Sequence, residues 1–263
     1  MGKSAAYTAS MPDAKGYIRY TDEENLMWHD LITTQLPCLG GNACNEYIRA
    51  SKHMDFSLDR IPQLPEVSAV LMDHTGWSVA PVPALIEFST LFELLANRQF
   101  PAATFIRNRD EMSYLREPDI SHEIFGHTPL LTDQRFATFS EAFGKAGLAA
   151  DSADHAMLAR LFWFTVEFGL IQTPEGLRSY GAGIISSPGD LTYALERDDP
   201  QRKWLDPVDA LRTPYRLDIF QLIINSFDEL YDLAQQDLLG YINEARRMGM
   251  YAPAYPPKET VWQ

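Results

Sequence analysis

MLARLFWFTVEFGLI, residues 157–171, is apolar almost all the way round. A helix of that composition is buried rather than laid along a surface, so this segment marks the core of a helical domain. Glu167 stands in its middle, and the only cation near it in sequence is Arg160, two turns earlier. A buried carboxylate has to be protonated, paired or bound to a metal. Taken alone, an arginine from elsewhere in the fold serves that purpose as well as a metal does.

Outward from this segment the pattern stays mainly helical, broken by Pro and Gly. Thr21 followed by Glu24 predicts a capping box, opening a helix that runs through Leu26, Met27, Leu31 and Ile32 toward Pro37. Further helices are expected at 42–54, 65–73, 83–97, 133–148, 153–172 and 225–247, with short strands near 77–79, 103–107, 178–186 and 215–220. Strands so few and so scattered do not make an alternating α/β sheet. No repeat and no linker rich in Pro, Gly or Ser divides the chain. The expectation is one domain over residues 1–263, mainly α with a few short β-strands, with the Pro-rich tail YAPAYPPKETVWQ extended over its surface.

The bulk numbers set limits on function. Of 263 residues, 46% are hydrophobic and 22% charged, the balance of a globular protein rather than a disordered one. The net charge of −14, from 36 acidic and 22 basic side chains, repels phosphate backbones and argues against nucleic-acid or anionic-membrane partners. Two cysteines, Cys38 and Cys44, are too few for a disulfide framework. There is no apolar leader at the start and no long uninterrupted apolar run, so the expected setting is the reducing cytoplasm.

The densest chemistry lies in EPDISHEIFGHTPLL, residues 117–131. His122 and His127 are five apart, not the four of a helical zinc-peptidase pair. On a continuous α-helix that spacing turns the second ring away by about 140°. Both reach one metal if the helix ends between them, and Gly126 and Pro129 are where such a break would fall. Two histidines alone are weak grounds for a metal; with Glu167 the case strengthens. Two His and one carboxylate leave positions open, as non-haem Fe(II) oxygenases require. A zinc hydrolase uses the same ligand types, so the set narrows the metal without settling it.

These segments, with YGAGIISSPGD (180–190) and TPYRLDIFQ (213–221), resemble the pterin-dependent aromatic amino acid hydroxylases, in particular their bacterial single-domain branch acting on phenylalanine. The likeness runs from about Thr75 to Ala234 and includes PVPALIEFSTLFELLANRQFPAATFIR. It implies a basket-shaped, largely helical catalytic domain, a tetrahydropterin cofactor, and Fe(II) held by His122, His127 and Glu167. It also implies hydroxylation of L-phenylalanine to L-tyrosine with O2 in phenylalanine catabolism.

By motif position, the resemblance gives Arg107 the substrate carboxylate, a task suited to a guanidinium fork. Asp119 buttresses Arg107, although the residue by itself equally suits a helix N-cap. Trp163 packs on the substrate ring, and Ser186 orients the substrate end and His122, since a ligating His commonly donates its other nitrogen to an outer partner. Gly181 and Gly183 allow close backbone approach. The pterin falls to Ile86, Leu91, Glu123 and Ala159. The family often carries Phe where Leu91 stands, and Phe92 is next door. Phe162 replaces a frequent Tyr, and Asp190 a frequent Glu. Leu217 stands where tyrosine hydroxylases carry Asp; an apolar residue suits a ring without a hydroxyl. The tyrosine and tryptophan hydroxylases of the same family are the alternatives, with a zinc-dependent hydrolase more remote. Lacking the family's heptad tail, the chain is expected to be a monomer, or a dimer through another surface.

Overall fold

The computed structural model describes residues 9–83, 85–112, 117–198, 201–213 and 220–252. The first helix, α1 (Asp22–Leu39), opens on the expected capping box: Glu24 N–H donates to Thr21 Oγ1 at 3.2 Å, and Thr21 N–H to Glu24 Oε2 at 2.7 Å. It continues past Pro37 for two residues. Helices α2 (Asn45–Met54) and α3 (Leu64–Thr75) follow, the latter closed by Gly76 at φ +74°, whose N–H returns to Met72 O.

Strand β1 (Ser78–Val82), helix α4 (Phe88–Ala96) and strand β2 (Gln99–Ala103) then form a parallel β-α-β unit in the register Ser78↔Gln99 to Val82↔Ala103. The sequence pattern started α4 five residues early, because the apolar run crosses Pro83 without a visible break. It also placed the second strand at 103–107, whereas pairing ends at Ala103.

Helix α5 (Gln134–Ala149) lies along α4. Gly144 and Gly147 make that contact possible: a Cβ at Gly147 would fall 2.1 Å from the Phe92 ring, and one at Gly144 2.4 Å from Ala96 N. The rest comprises α6 (His155–Phe162), β3 (Leu170–Thr173), β4 (Gly176–Ser179), α7 (Ala182–Ile185), α8 (Pro188–Glu196), β5 (Gln201–Trp204), α9 (Pro207–Arg212), β6 (Phe220–Ile224), α10 (Phe227–Ala234) and α11 (Leu238–Met248). The later strands make a four-stranded sheet in the order β4-β3-β6-β5, antiparallel between β3 and β4 and parallel elsewhere.

Three expectations need correction here. The long helix over 153–172 stops early, and its last residues become β3. The strand expected at 178–186 is β4 followed by α7, because a short apolar run does not reveal its own period. The helix expected at 225–247 is two, α10 and α11. The strand expected at 215–220 falls largely outside the described residues, β6 beginning at Phe220. One apolar core runs from Ile18 to Ala245, with Phe92, Phe136, Phe139, Phe143 and Phe164 almost wholly enclosed. Each such side chain contributes about 1.5–3 kcal/mol by burial. Among the described residues no helix is long and apolar enough to cross a membrane.

Candidate metal and substrate site

The helix does not end between His122 and His127. Residues His122–His127 form a π-helix, and a second π segment, Trp163–Glu167, follows α6. In a π-helix the bonds run i→i+5, so residues five apart stack on one face, which the α-helical 140° turn would forbid. The spacing that argues against a zinc-peptidase pair is thus the spacing a π turn requires. Glu167 sits at the end of the other π segment.

The three side chains converge. His122 Nε2 and His127 Nε2 are 3.1 Å apart. Glu167 Oε1 lies 2.9 Å from the His127 nitrogen, and Oε2 lies 3.5 Å from that of His122. Glu167 is 6% exposed, and its ion-pair partners among the described residues are these two imidazoles; Arg160 is turned to the Leu211 carbonyl. Burial pushes the Glu167 carboxyl up, but the two imidazoles overcome it and hold it well below the usual range. Burial drives His127 down, whereas the same carboxylate, against burial, draws His122 up to about 9. Two imidazole nitrogens and a carboxylate facing one point are satisfied together by a divalent cation there, so the donor set fits a metal of the two-His, one-carboxylate class.

Glu123 is the rival ligand. It forms with His122 and His127 a group whose donor atoms lie within 4.8 Å of one another. Its Oε2 is 3.9 Å from His127 Nε2, farther than Glu167, and burial pushes its carboxyl up to about 8, toward the neutral form. Of the two carboxylates, Glu167 is thus the nearer to the imidazoles. Glu123 is only 9% exposed, so it is not a solvated helix residue.

Beside this focus lies a cavity of about 720 Å³, lined among others by Arg107, His122, Trp163, Glu167, Ser186 and Asp190. Arg107 is 8% exposed and grips Asp119 in a fork, Nε to Oδ2 at 2.9 Å and Nη2 to Oδ1 at 3.1 Å. Asp119 also accepts from the Arg107 amide and from the His122 amide, so it is both buttress and helix cap. Burial alone would raise the Asp119 carboxyl; Arg107 and Ser121 bring it below the usual range. Ser121, which the sequence reading passed over, donates to Asp119 Oδ1 at 2.6 Å and accepts from Arg107 Nη2 at 3.2 Å. Among the described residues nothing engages Nη1 of Arg107.

Ser186 Oγ lies 2.9 Å from His122 Nδ1. With Nε2 turned to the metal point, Nδ1 carries the hydrogen and donates it to this hydroxyl. Gly181 permits the approach that brings Ser186 here, since a Cβ there would sit 2.4 Å from the Glu167 carbonyl oxygen. Trp163 stacks at 6.2 Å on Phe168, which also lines the cavity.

The predicted pterin contacts are less unified. Ile86 and Leu91 are half-buried and Ala159 is buried on α6; with Glu123, none of the four lines this cavity. Phe92 offers no face to a cofactor, being enclosed by Phe143 at 5.4 Å and His155 at 4.9 Å. Leu217 lies outside the described residues.

A family model described as biopterin-dependent aromatic amino acid hydroxylase matches residues 3–257. The phenylalanine-4-hydroxylase of Pseudomonas aeruginosa is 48% identical over 260 residues, covering 98% of this chain and 99% of that protein. The apo structure of the cold-active phenylalanine hydroxylase from Colwellia psychrerythraea superposes with a TM-score of 0.91 at 46% identity, over 94% of this chain and 97% of that one. The Chromobacterium violaceum phenylalanine hydroxylase, solved with bound Fe(III), superposes with a TM-score of 0.87 at 36% identity, over 98% and 94%. With its two imidazoles and buried carboxylate at one point, this chain belongs to the biopterin-dependent aromatic amino acid hydroxylases.

Proposed function

We propose that this chain is a phenylalanine 4-monooxygenase, converting L-phenylalanine to L-tyrosine with dioxygen, Fe(II) and a tetrahydropterin. The observation that carries this reading is the convergence of His122, His127 and Glu167 beside a cavity that Arg107 also lines. When bound, the iron and the reduced pterin supply the redox chemistry that puts one oxygen atom of O2 on the ring and reduces the other.

The chain's own residues bind and orient. Nη1 of Arg107, with its other donors committed to Asp119 and Ser121, takes the substrate carboxylate. Trp163, braced by Phe168, flanks the aromatic ring. His122 and His127 present Nε2 and Glu167 its oxygens, while Ser186 keeps the His122 ring in one tautomer. Packed rings keep the His127 side dry: Phe100 lies 4.6 Å from its ring and Phe162 6.5 Å. Ile86, Leu91, Glu123 and Ala159 would hold the pterin, and Leu217 favours a ring without a hydroxyl. The continuous core supports a single catalytic domain over residues 1–263. We assign that domain to the cytoplasm as a monomer.

Iron-reconstituted protein supplied with phenylalanine, tetrahydropterin and oxygen should yield tyrosine in step with pterin oxidation. Iron-loaded protein that turns over no phenylalanine would overturn the reading, and preferred turnover of tyrosine or tryptophan would reassign the substrate.

A further inference from the structure

Helix α1 supplies Leu31, Ile32, Thr34 and Gln35 to the cavity wall. Gln35 is the unexpected member. It lies on the buried stripe of Trp28, Ile32 and Leu39 and is 3% exposed. An amide there is unfavourable unless its polar atoms are satisfied, and its Oε1 has no partner. Leucine would bury at lower cost, so the stripe keeps Gln35 for its other end.

That end has a defined task. Gln35 Nε2 donates to the carbonyl of Ile185, 150 residues away, at 2.5 Å. Ile185 is fully buried and is the last residue of α7, a helix of four residues. Carbonyls at a helix C-terminus have no partner inside the helix, so Gln35 satisfies one that would otherwise be orphaned in the core. The next residue is Ser186, whose hydroxyl holds His122 Nδ1.

We propose that Gln35 is a positioning residue of the metal centre: by holding the Ile185 carbonyl it fixes the Ser186 hydroxyl beside His122. The inference rests on the reading of His122 as a ligand. It makes α1 part of the ligand scaffold as well as part of the cavity wall.

The test titrates the metal-free protein with Co(II), following the visible absorption of the bound ion. Wild type is compared with Gln35→Met, Gln35→Leu, Ser186→Ala and the double variant Gln35→Met/Ser186→Ala, with circular dichroism to check folding. Gln35→Met should weaken Co(II) binding about tenfold, the low end for outer-shell partners of a ligand, and should shift the absorption band. Gln35→Leu, which also has no donor but fills the space with a branched side chain, should do the same independently of the particular apolar shape. Because Gln35 acts through Ser186, the double variant should bind no more weakly than Ser186→Ala alone. Wild-type affinity and spectrum in both Gln35 variants would overturn the proposal. So would a Gln35→Met loss that persists in full when Ser186 is Ala. Wild-type protein that takes up no Co(II) would overturn the metal centre itself, and the inference with it.

Discussion

Two buried carboxylates, Glu123 and Glu167, stand near one pair of imidazoles, and their surroundings divide the roles between them. Glu167 sits 2.9 Å from His127 Nε2 and is held ionised by both rings; Glu123 sits 3.9 Å away and leans to the neutral form. Glu167→Gln should therefore lower Fe(II) affinity by at least about 100-fold, since even outer-shell losses reach that figure. Glu123→Gln should leave metal affinity close to wild type. Calorimetric titration of both variants decides it, and the reverse order would make Glu123 the ligand. The candidate carboxylate, Glu167, was legible beforehand because a charge inside an apolar segment is visible in any sequence. Ser121 and Gln35 were not, because hydroxyls and amides are common everywhere and only the fold shows which carbonyl or carboxylate they meet.

Elements were less legible than residues. The π segments explain why: apolar spacing distinguishes a helix from a strand, but does not register one extra residue in a turn. The pattern for 157–171 therefore reads as one long helix, whereas the chain passes through α6, a π segment and β3. The capped starts of α1 and α5 were easier to locate, whereas those of α8 at Ser187 and α9 at Asp206 went unread. Asp133 begins α5 by accepting from the Arg135 amide at 2.9 Å, and it pairs with the Arg135 guanidinium at 2.7 Å. Partial burial raises the Asp133 carboxyl, but Arg135 outweighs this and sets it below the ordinary range. A depressed folded-state pKa contributes stability that is present above the unfolded value and lost as pH falls through the folded one. Asp133→Ala should thus cost about 1 kcal/mol at neutral pH. The difference from wild type should shrink once pH drops below the ordinary carboxylate range. Urea midpoints at several pH values test this, and a gap that does not vary with pH would mean the charge plays no part.

At the scale of the whole molecule, the mainly helical class was legible from composition and period, but the mixed sheet was not, because β5 and β6 pair only after the chain has returned from α9. The proposed metal centre draws on distant parts of this chain: His122 and His127 precede α5 and Glu167 follows α6. A ligand that binds only the folded state stabilises it by about 2.7 kcal/mol at a hundredfold excess over its Kd. For a chain of this length that is a rise of about 5–10 °C in Tm. Scanning calorimetry with and without Fe(II) under anaerobic conditions should show it, and an unchanged Tm would count against a preformed site. Asp119 has a related consequence. One carboxylate accepts from the guanidinium and amide of Arg107, from Ser121 and from the His122 amide. The group that steadies the proposed anchor for the amino acid is thus the group that starts the helix bearing the first proposed metal ligand. By thermodynamic reciprocity, whatever tightening the amino acid causes at the metal, the metal must return to the amino acid.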